Sequence, residues 1–367
     1  GWAQRRVGLT RALEAVHDRC AAGAELAATA HRCLEALGAA CSGALSGPEF
    51  RMAPFDWSPE VVLELFGSCE QGTALRSSDV DVRMSFTQFH VTDKERQLRY
   101  LRAVAASPGD RFEVVRLIEA RLPVLRLRFL EGGGTDVDLT MGDSMEGGAE
   151  VDRFVCSLLG AAADDGARRF ARLVKAFAKA HGLVDAYGGF LNSVCWVFLA
   201  MCFLQLEGCL PPAPPDRAPP AGGAPRRGRL WTVQLSPLLL ARFFALVERC
   251  GSEPHRVWLG WWTDGSCPLQ RRFYATEGAA PLVVKSPADG AWNLASALRE
   301  HGWRETVRRC AEARARLEAA MPPGEAALGE AEEAEAQERL LAWLFGEPGG
   351  GDLPAEEPPA AKRQRTC

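Results

Sequence analysis

The sequence predicts an α+β fold in two lobes, and three observations carry that prediction. Short runs with strand character are confined to residues 61–141. Residues 150–206 read as helix throughout, with no clear strand. A Pro/Gly-rich stretch at 211–229, PPAPPDRAPPAGGAPRRGR, then interrupts the helical text, and such a stretch cannot pack a core.

Composition sets the bounds. The chain has 367 residues, 47% hydrophobic and 25% charged, with 23 Pro and 36 Gly, which excludes a disordered chain, a collagen and a small disulfide scaffold. The length allows two or three domains with cores of their own. A net charge of −4 does not announce a nucleic-acid binder. The 12 Cys are scattered with no C-x-x-C pair, and the 6 His form no cluster with them, which argues against a zinc site. Cys156, Cys195, Cys202 and Cys209 lie in apolar helical text, where a reduced thiol acts as a small hydrophobe; a reducing, intracellular compartment is expected. The start, GWAQRRVGLTRALEAV, has no apolar signal-peptide core, and the run Val194 to Leu206 is too short to span a bilayer, so no membrane is expected.

The elements follow in order. Residues 8–45, rich in Ala and Leu at helical spacing, predict two helices, and residues 1–54 are expected to pack on the helical lobe. A loop with Gly47, Pro48, Pro54 and Pro59 leads to Val61–Phe66, a short apolar strand ending at Gly67-Ser68. Asp79–Phe86 alternates polar and apolar, as a half-buried strand does. Residues 93–120 predict helix broken at Ser107-Pro108-Gly109. Val124–Leu130 and Thr135–Met141 predict two further strands joined by the turn Gly132-Gly133-Gly134, so residues 55–145 form the sheet-bearing unit. Residues 146–320 form the helical unit, with helices resuming over Ser236–Cys250 and Asn293–Ala320. Residues 321–367 carry an acidic Ala/Glu run and an apolar stub, Leu340–Phe345, and are expected to be a disordered tail with a basic end.

The chemistry concentrates at Phe66-Gly67-Ser68, ten residues, then Asp79-Val80-Asp81-Val82. On a strand, residues i and i+2 share a face, so Asp79 and Asp81 point together while Val80, Val82 and Met84 point to the core. Two close carboxylates repel unless a cation lies between them, and hard oxygen donors suit Mg²⁺. A Gly-Ser turn at a strand end offers N–H groups and a hydroxyl to a phosphate. Asp136 and Asp138 share one face of the later strand, and either can supply a third carboxylate. Three carboxylates can hold two metal ions, which is the equipment of phosphoryl or nucleotidyl transfer. The plain alternative, a solvated strand face, accounts for D-x-D alone but not for the whole constellation.

These residues resemble the signature of the DNA-polymerase-β-like nucleotidyltransferases. Within that superfamily, RRFARLVKAFAKAHGLVDAYGGFLNSVCWVFLAMCFLQL (168–206) resembles the central domain of RNA 3′-terminal nucleotidyltransferases, the group of poly(A) polymerases and terminal uridylyltransferases. Pro281 to Leu298, PLVVKSPADGAWNLASAL, resembles their nucleotide-recognition segment. The three blocks stand in the family's order and span roughly residues 55–320.

The resemblance implies a mixed-sheet catalytic domain and a helical central domain that closes over the nucleotide. It implies Asp79, Asp81 and Asp138 as the ligands of two Mg²⁺ or Mn²⁺ ions, with Asp138 helping to activate the RNA 3′-hydroxyl. Gly67 and Ser68 would hold the triphosphate. Lys175 and Lys179, four apart on one helix face, would reach it, and their alternative is a solvated face. Asn192, Ser193 and Asn293 would meet the nucleotide, and Val194 and Trp292 the base. Gly189-Phe190-Leu191, Val194-x-Trp196 and Ser286-Pro287-Ala288 resemble conventional poly(A) polymerases, whereas the aromatic platform of many uridylyltransferases is Val194 here and their UTP-favouring His is Trp292. That points to ATP. The implied activity is template-independent addition of AMP to an RNA 3′ end, with NTP and RNA as partners. A terminal uridylyltransferase, a 2′–5′ oligoadenylate synthetase-like enzyme and an inactive RNA-binding scaffold are the alternatives.

Arg226-Arg227-Gly228-Arg229 and the helix Arg299 to Arg316 concentrate positive charge. Arg304, Arg308 and Arg309 are candidates for the RNA backbone, against a solvated face with interspersed Glu. The end, Pro359-Ala360-Ala361-Lys362-Arg363-Gln364-Arg365, resembles a short nuclear-import signal, and a nuclear or cytoplasmic location is expected.

Overall fold

The computed structural model describes residues 2–51, 58–120, 122–142, 146–212, 231–253, 255–257, 269–271, 280–288, 292–321 and 330–346. Residues 213–229 of the Pro/Gly-rich stretch, including Arg226-Arg227-Gly228-Arg229, and the basic end lie outside the described residues. So do residues 289–291 of the nucleotide-recognition segment.

Five strands make one sheet in the order β1-β2-β5-β4-β3: β1 Val61–Phe66, β2 Val80–Phe86, β3 Phe112–Ile118, β4 Val124–Phe129 and β5 Thr135–Met141. β2 and β5 pair in parallel at the centre; the other neighbours are antiparallel, so the sheet is mixed. Period-two alternation decides its faces. Val80, Val82, Met84, Leu125, Leu127, Val137 and Leu139 are buried on one side, under α2 (Ala24–Ala44) and α3 (Lys94–Ala106), while the residues between them point to the other side.

The second lobe is helical. α4 (Glu146–Gly160), α5 (Gly166–Ala180), α6 (Ser193–Leu206), α7 (Pro237–Gly251) and α8 (Glu300–Ala319) share one core. α6 is apolar on all sides, with Cys195 through Leu204 buried, as a helix surrounded by others must be. No helix among the described residues is long and apolar enough to cross a membrane.

Several expectations need correction. Phe112–Ile118 is not helix but an edge strand on β4. Pro108-Gly109 ends α3 outright, and a register shift between Val114 and Arg116 hides the strand's alternation. Asn293–Leu298 is a turn, and the helix begins only at Glu300. A second sheet, β7-β6-β8, joins β6 (His255–Val257), β7 (Leu269–Arg271) and β8 (Leu282–Val284), in strands too short to show any period.

The N-terminal helices divide between the lobes. Leu9, Leu13 and Val16 of α1 (Trp2–Cys20) join the helical core, but Cys33, Leu37 and Cys41 of α2 join the sheet's core. The expected tail is in part a helix, α9 (Glu330–Phe345), whose Leu340, Leu341 and Leu344 are buried in the helical core. Its Ala/Glu text is strong helix former, and the leucines make one short apolar face that the composition concealed.

Candidate active site

The parallel pairing of β2 with β5 creates the site. Asp81 and Asp138 are direct register partners, and Asp79 stands just before β2. One carboxylate oxygen from each lies within 4.8 Å of the others. Asp136 is engaged elsewhere, accepting from Arg128 Nε at 3.0 Å. The arrangement is costly by itself. Burial, then the charges of its neighbours, pushes the Asp79 carboxyl up and the Asp81 carboxyl well up. Three converging carboxylates with hard oxygen donors fit a divalent cation such as Mg²⁺ or Mn²⁺, which removes that repulsion.

A residue that the sequence reading missed faces them. Arg126, opposite Asp138 in the β4–β5 register, donates from Nε to Oδ1 at 2.7 Å and from Nη2 to Oδ2 at 2.6 Å. The same Nη2 lies 3.8 Å from Asp79 Oδ2. The signal was present in the alternation of VLRLRF, which puts Arg126 on the carboxylate face of β4.

The turn after β1 abuts the cluster. Gly67 has φ +67°, and a Cβ there would come within 2.7 Å of Asp81 Oδ2, so only glycine suits both the backbone and the carboxylate. Ser68 sits half-buried in the turn, its carbonyl accepting from Thr73 N–H at 2.9 Å. Asp152 on α4, also missed, holds the turn from the second lobe. It accepts from Gly67 N–H at 2.9 Å and from Gln71 Nε2 at 2.7 Å. Burial raises its pKa in spite of those bonds.

α5 grips the same segment with three cations on one face. Arg172 Nε donates to the Gly72 carbonyl at 3.0 Å, Lys175 Nζ to Thr73 at 2.9 Å and Lys179 Nζ to Ser77 at 2.7 Å. Lys175 is buried, and loss of solvation brings its pKa down to about 8 against the pull of Asp81 and Asp79. Lys179 is exposed.

The remaining candidates make their hydrogen bonds within the helical lobe. Asn192 caps α6, accepting from Cys195 N–H at 2.9 Å, and its amide donates to the Leu294 carbonyl at 3.0 Å. Ser193 is the first residue of α6, and Val194 packs against the helical core. Asn293 Oδ1 accepts from Val284 N–H at 2.9 Å and Ala295 N–H at 3.0 Å, shaping the turn before α8. Trp292 is 43% exposed, so it is not core. The α8 arginines are paired along their own helix: Arg304 with Glu300, and Arg308 and Arg309 both with Glu305, whose carboxyl they hold at about 2. Each of these guanidinium groups thus shares a Glu of its own helix.

Residues 51–146 match the family model described as "Poly(A) RNA polymerase, mitochondrial-like, central palm domain". That match covers the sheet-bearing unit and its carboxylates, and it gives those residues the palm domain of an RNA nucleotidyltransferase. The chain is 26% identical over 151 residues to the poly(A) RNA polymerase CID14 of Cryptococcus neoformans var. neoformans serotype D, a stretch covering 41% of this chain and 19% of that protein. Its fold is similar to that of the Cid1 poly(U) polymerase with Mg and 3′-dATP bound, with a TM-score of 0.63 at 17% identity, covering 84% of this chain and 93% of that one. It is also similar to that of mtPAP in complex with UTP, with a TM-score of 0.66 at 14% identity, covering 92% of this chain and 73% of that one. At these identities the likeness establishes the α+β nucleotidyltransferase fold.

Proposed function

We propose that the protein is a template-independent RNA 3′-terminal nucleotidyltransferase that moves a nucleoside monophosphate from NTP to an RNA 3′-hydroxyl and releases pyrophosphate. The observation that carries this reading is the convergence of Asp79, Asp81 and Asp138 beside the Gly67-Ser68 turn. The three aspartates would hold two divalent ions, which supply activation of the attacking hydroxyl and neutralisation of the leaving pyrophosphate. The chain's own work is positioning. Asp138, on β5, would steer the 3′-hydroxyl. The turn at Gly67-Ser68 receives the triphosphate, and the Lys175 and Lys179 ammonium groups add positive potential on its far side.

ATP is the proposed nucleotide. Trp292, Val194 and Ser286-Pro287-Ala288 support it, and the partly exposed Trp292 ring is free to stack on a base. The likeness to a poly(U) polymerase keeps a terminal uridylyltransferase as the second reading. Extension of a labelled RNA primer with each NTP separately, in Mg²⁺ or Mn²⁺, tests both. No extension with any NTP sinks the proposal; extension by UTP alone sinks the ATP preference.

A further inference from the structure

We propose that Arg126 is a built-in competitor for the metal at Asp138, so that the free enzyme holds its cations more weakly than its three carboxylates alone would. This rests on the reading of Asp79, Asp81 and Asp138 as the metal site.

Four observations carry it. Arg126 and Asp138 are direct cross-strand partners, so the pairing is fixed by sheet register rather than by a mobile loop. The guanidinium engages both Asp138 oxygens, at 2.7 and 2.6 Å, in the planar fork that binds a carboxylate most strongly. It also lies 3.8 Å from Asp79. The side chains are only 30% and 15% exposed, so water does not dilute the pair as it does a surface ion pair.

Among the described residues, the carboxylates near Arg126 besides Asp138 are Asp79, itself one of the triad, and Asp136. On the same strand as Arg126, Arg128 takes Asp136, and the residue across from Arg126 on β3 is Arg116. A divalent cation that bonds to Asp138 therefore shares both oxygens with the guanidinium, or displaces one of its N–H groups, and meets its positive charge in either case. Arg126 has two opposed effects. It offsets the repulsion among the aspartates when no cation is bound, and it opposes the cation that would offset it better. It is a positioning residue: it acts on the metal through Asp138.

The test is Mn²⁺ binding to the nucleotide-free full chain, read from the electron paramagnetic resonance signal of free Mn²⁺, with circular dichroism as the check on folding. Arg126→Gln is expected to bind Mn²⁺ about tenfold more tightly than the wild type, because the competing charge is gone. Arg126→Lys, which keeps the charge but loses the fork, is expected to fall between them and carries the test if Arg126→Gln does not fold. Adding Asp138→Asn to Arg126→Gln should abolish the gain, which a merely structural role for Arg126 would not predict. Unchanged or weaker Mn²⁺ binding in folded Arg126→Gln, or in Arg126→Lys should the former not fold, overturns the proposal. Failure of every protein, wild type included, to bind Mn²⁺ even with a non-hydrolysable ATP analogue overturns the metal-site reading itself.

Discussion

Asp81 bears the largest electrostatic cost among the residues of the site. Buried and facing Asp79 and Asp138, its carboxyl titrates well above the ordinary range. A raised folded-state pKa means that the native protein binds the proton more tightly than the unfolded chain does. The contribution of Asp81 to stability without metal is therefore fully present below the ordinary carboxylate pKa and is lost as pH rises through the raised one. Asp81→Asn should raise the melting temperature of the metal-free protein at pH 7 by a few degrees, on the order expected for about 1 kcal/mol, while abolishing nucleotide transfer. A lower melting temperature would contradict the electrostatic account. Lys175 gives the opposite sign. Its folded pKa of about 8 lies below the ordinary 10.5, so the unfolded chain binds more protons between those values and stability rises with pH there. Lys175→Met should remove that rise, a difference of roughly 2–3 kcal/mol between the proteins across the window. Urea melts of wild type and variant at pH 7.5 and 10 measure it; parallel pH profiles would count against it.

At the scale of elements, the unit is the segment from Gly67 to Ser77, held on one side by Asp152 of α4 and on the other by Arg172, Lys175 and Lys179 of α5. Asp152→Ala would leave the Gly67 N–H and Gln71 amide without their acceptor. A loss of roughly 1–3 kcal/mol in stability and a raised KM for NTP are expected, the second because the turn no longer holds its shape. Gly67→Ala should do more harm to activity than to stability, since the added methyl strikes the Asp81 carboxylate. A steady-state comparison showing KM and kcat unchanged in both variants would refute the clamp. The turn was legible in the sequence because Phe66-Gly67-Ser68 and the D-V-D strand lie within sixteen residues of each other. The clamp was not, because Asp152 is one of several acids in helical text, 85 residues from Gly67. The spacing of Lys175 and Lys179 did place them on one helix face, but what that face meets depends on how the two lobes pack.

Across the whole molecule, two cores and one shared segment explain the architecture. α1 anchors the helical core and its end bridges to the sheet lobe, where Ala22 N–H reaches the Ala74 carbonyl at 3.1 Å and Arg76 N–H the Cys20 carbonyl at 2.9 Å. α9 closes the same core from the other end of the chain. Trp343 lies between Arg316, 4.3 Å from its ring centroid, and the His181 ring at 4.6 Å. Leu344→Ala should cost about 2–4 kcal/mol, measured by denaturant melts, whereas a frayed tail would tolerate it within a few tenths. The sheet was legible because β2, β4 and β5 alternate cleanly and β1 is a short apolar run, and the helical lobe because it is long and apolar. β3, α9 and the small sheet were not: a bulge, a single short apolar face and strands of three residues carry too little local pattern, and tertiary contact alone decides them.

The central claim is that Asp79, Asp81 and Asp138 are the catalytic core of an RNA 3′-terminal nucleotidyltransferase. Its most direct test is extension of a labelled RNA primer with ATP and Mg²⁺ by the wild type and by Asp79→Asn, Asp81→Asn and Asp138→Asn. The account predicts extension by the wild type and a loss on the order of a thousandfold or more in each variant. Folded variants that extend the primer as fast as the wild type, or a wild type that extends it with no nucleotide, would contradict it.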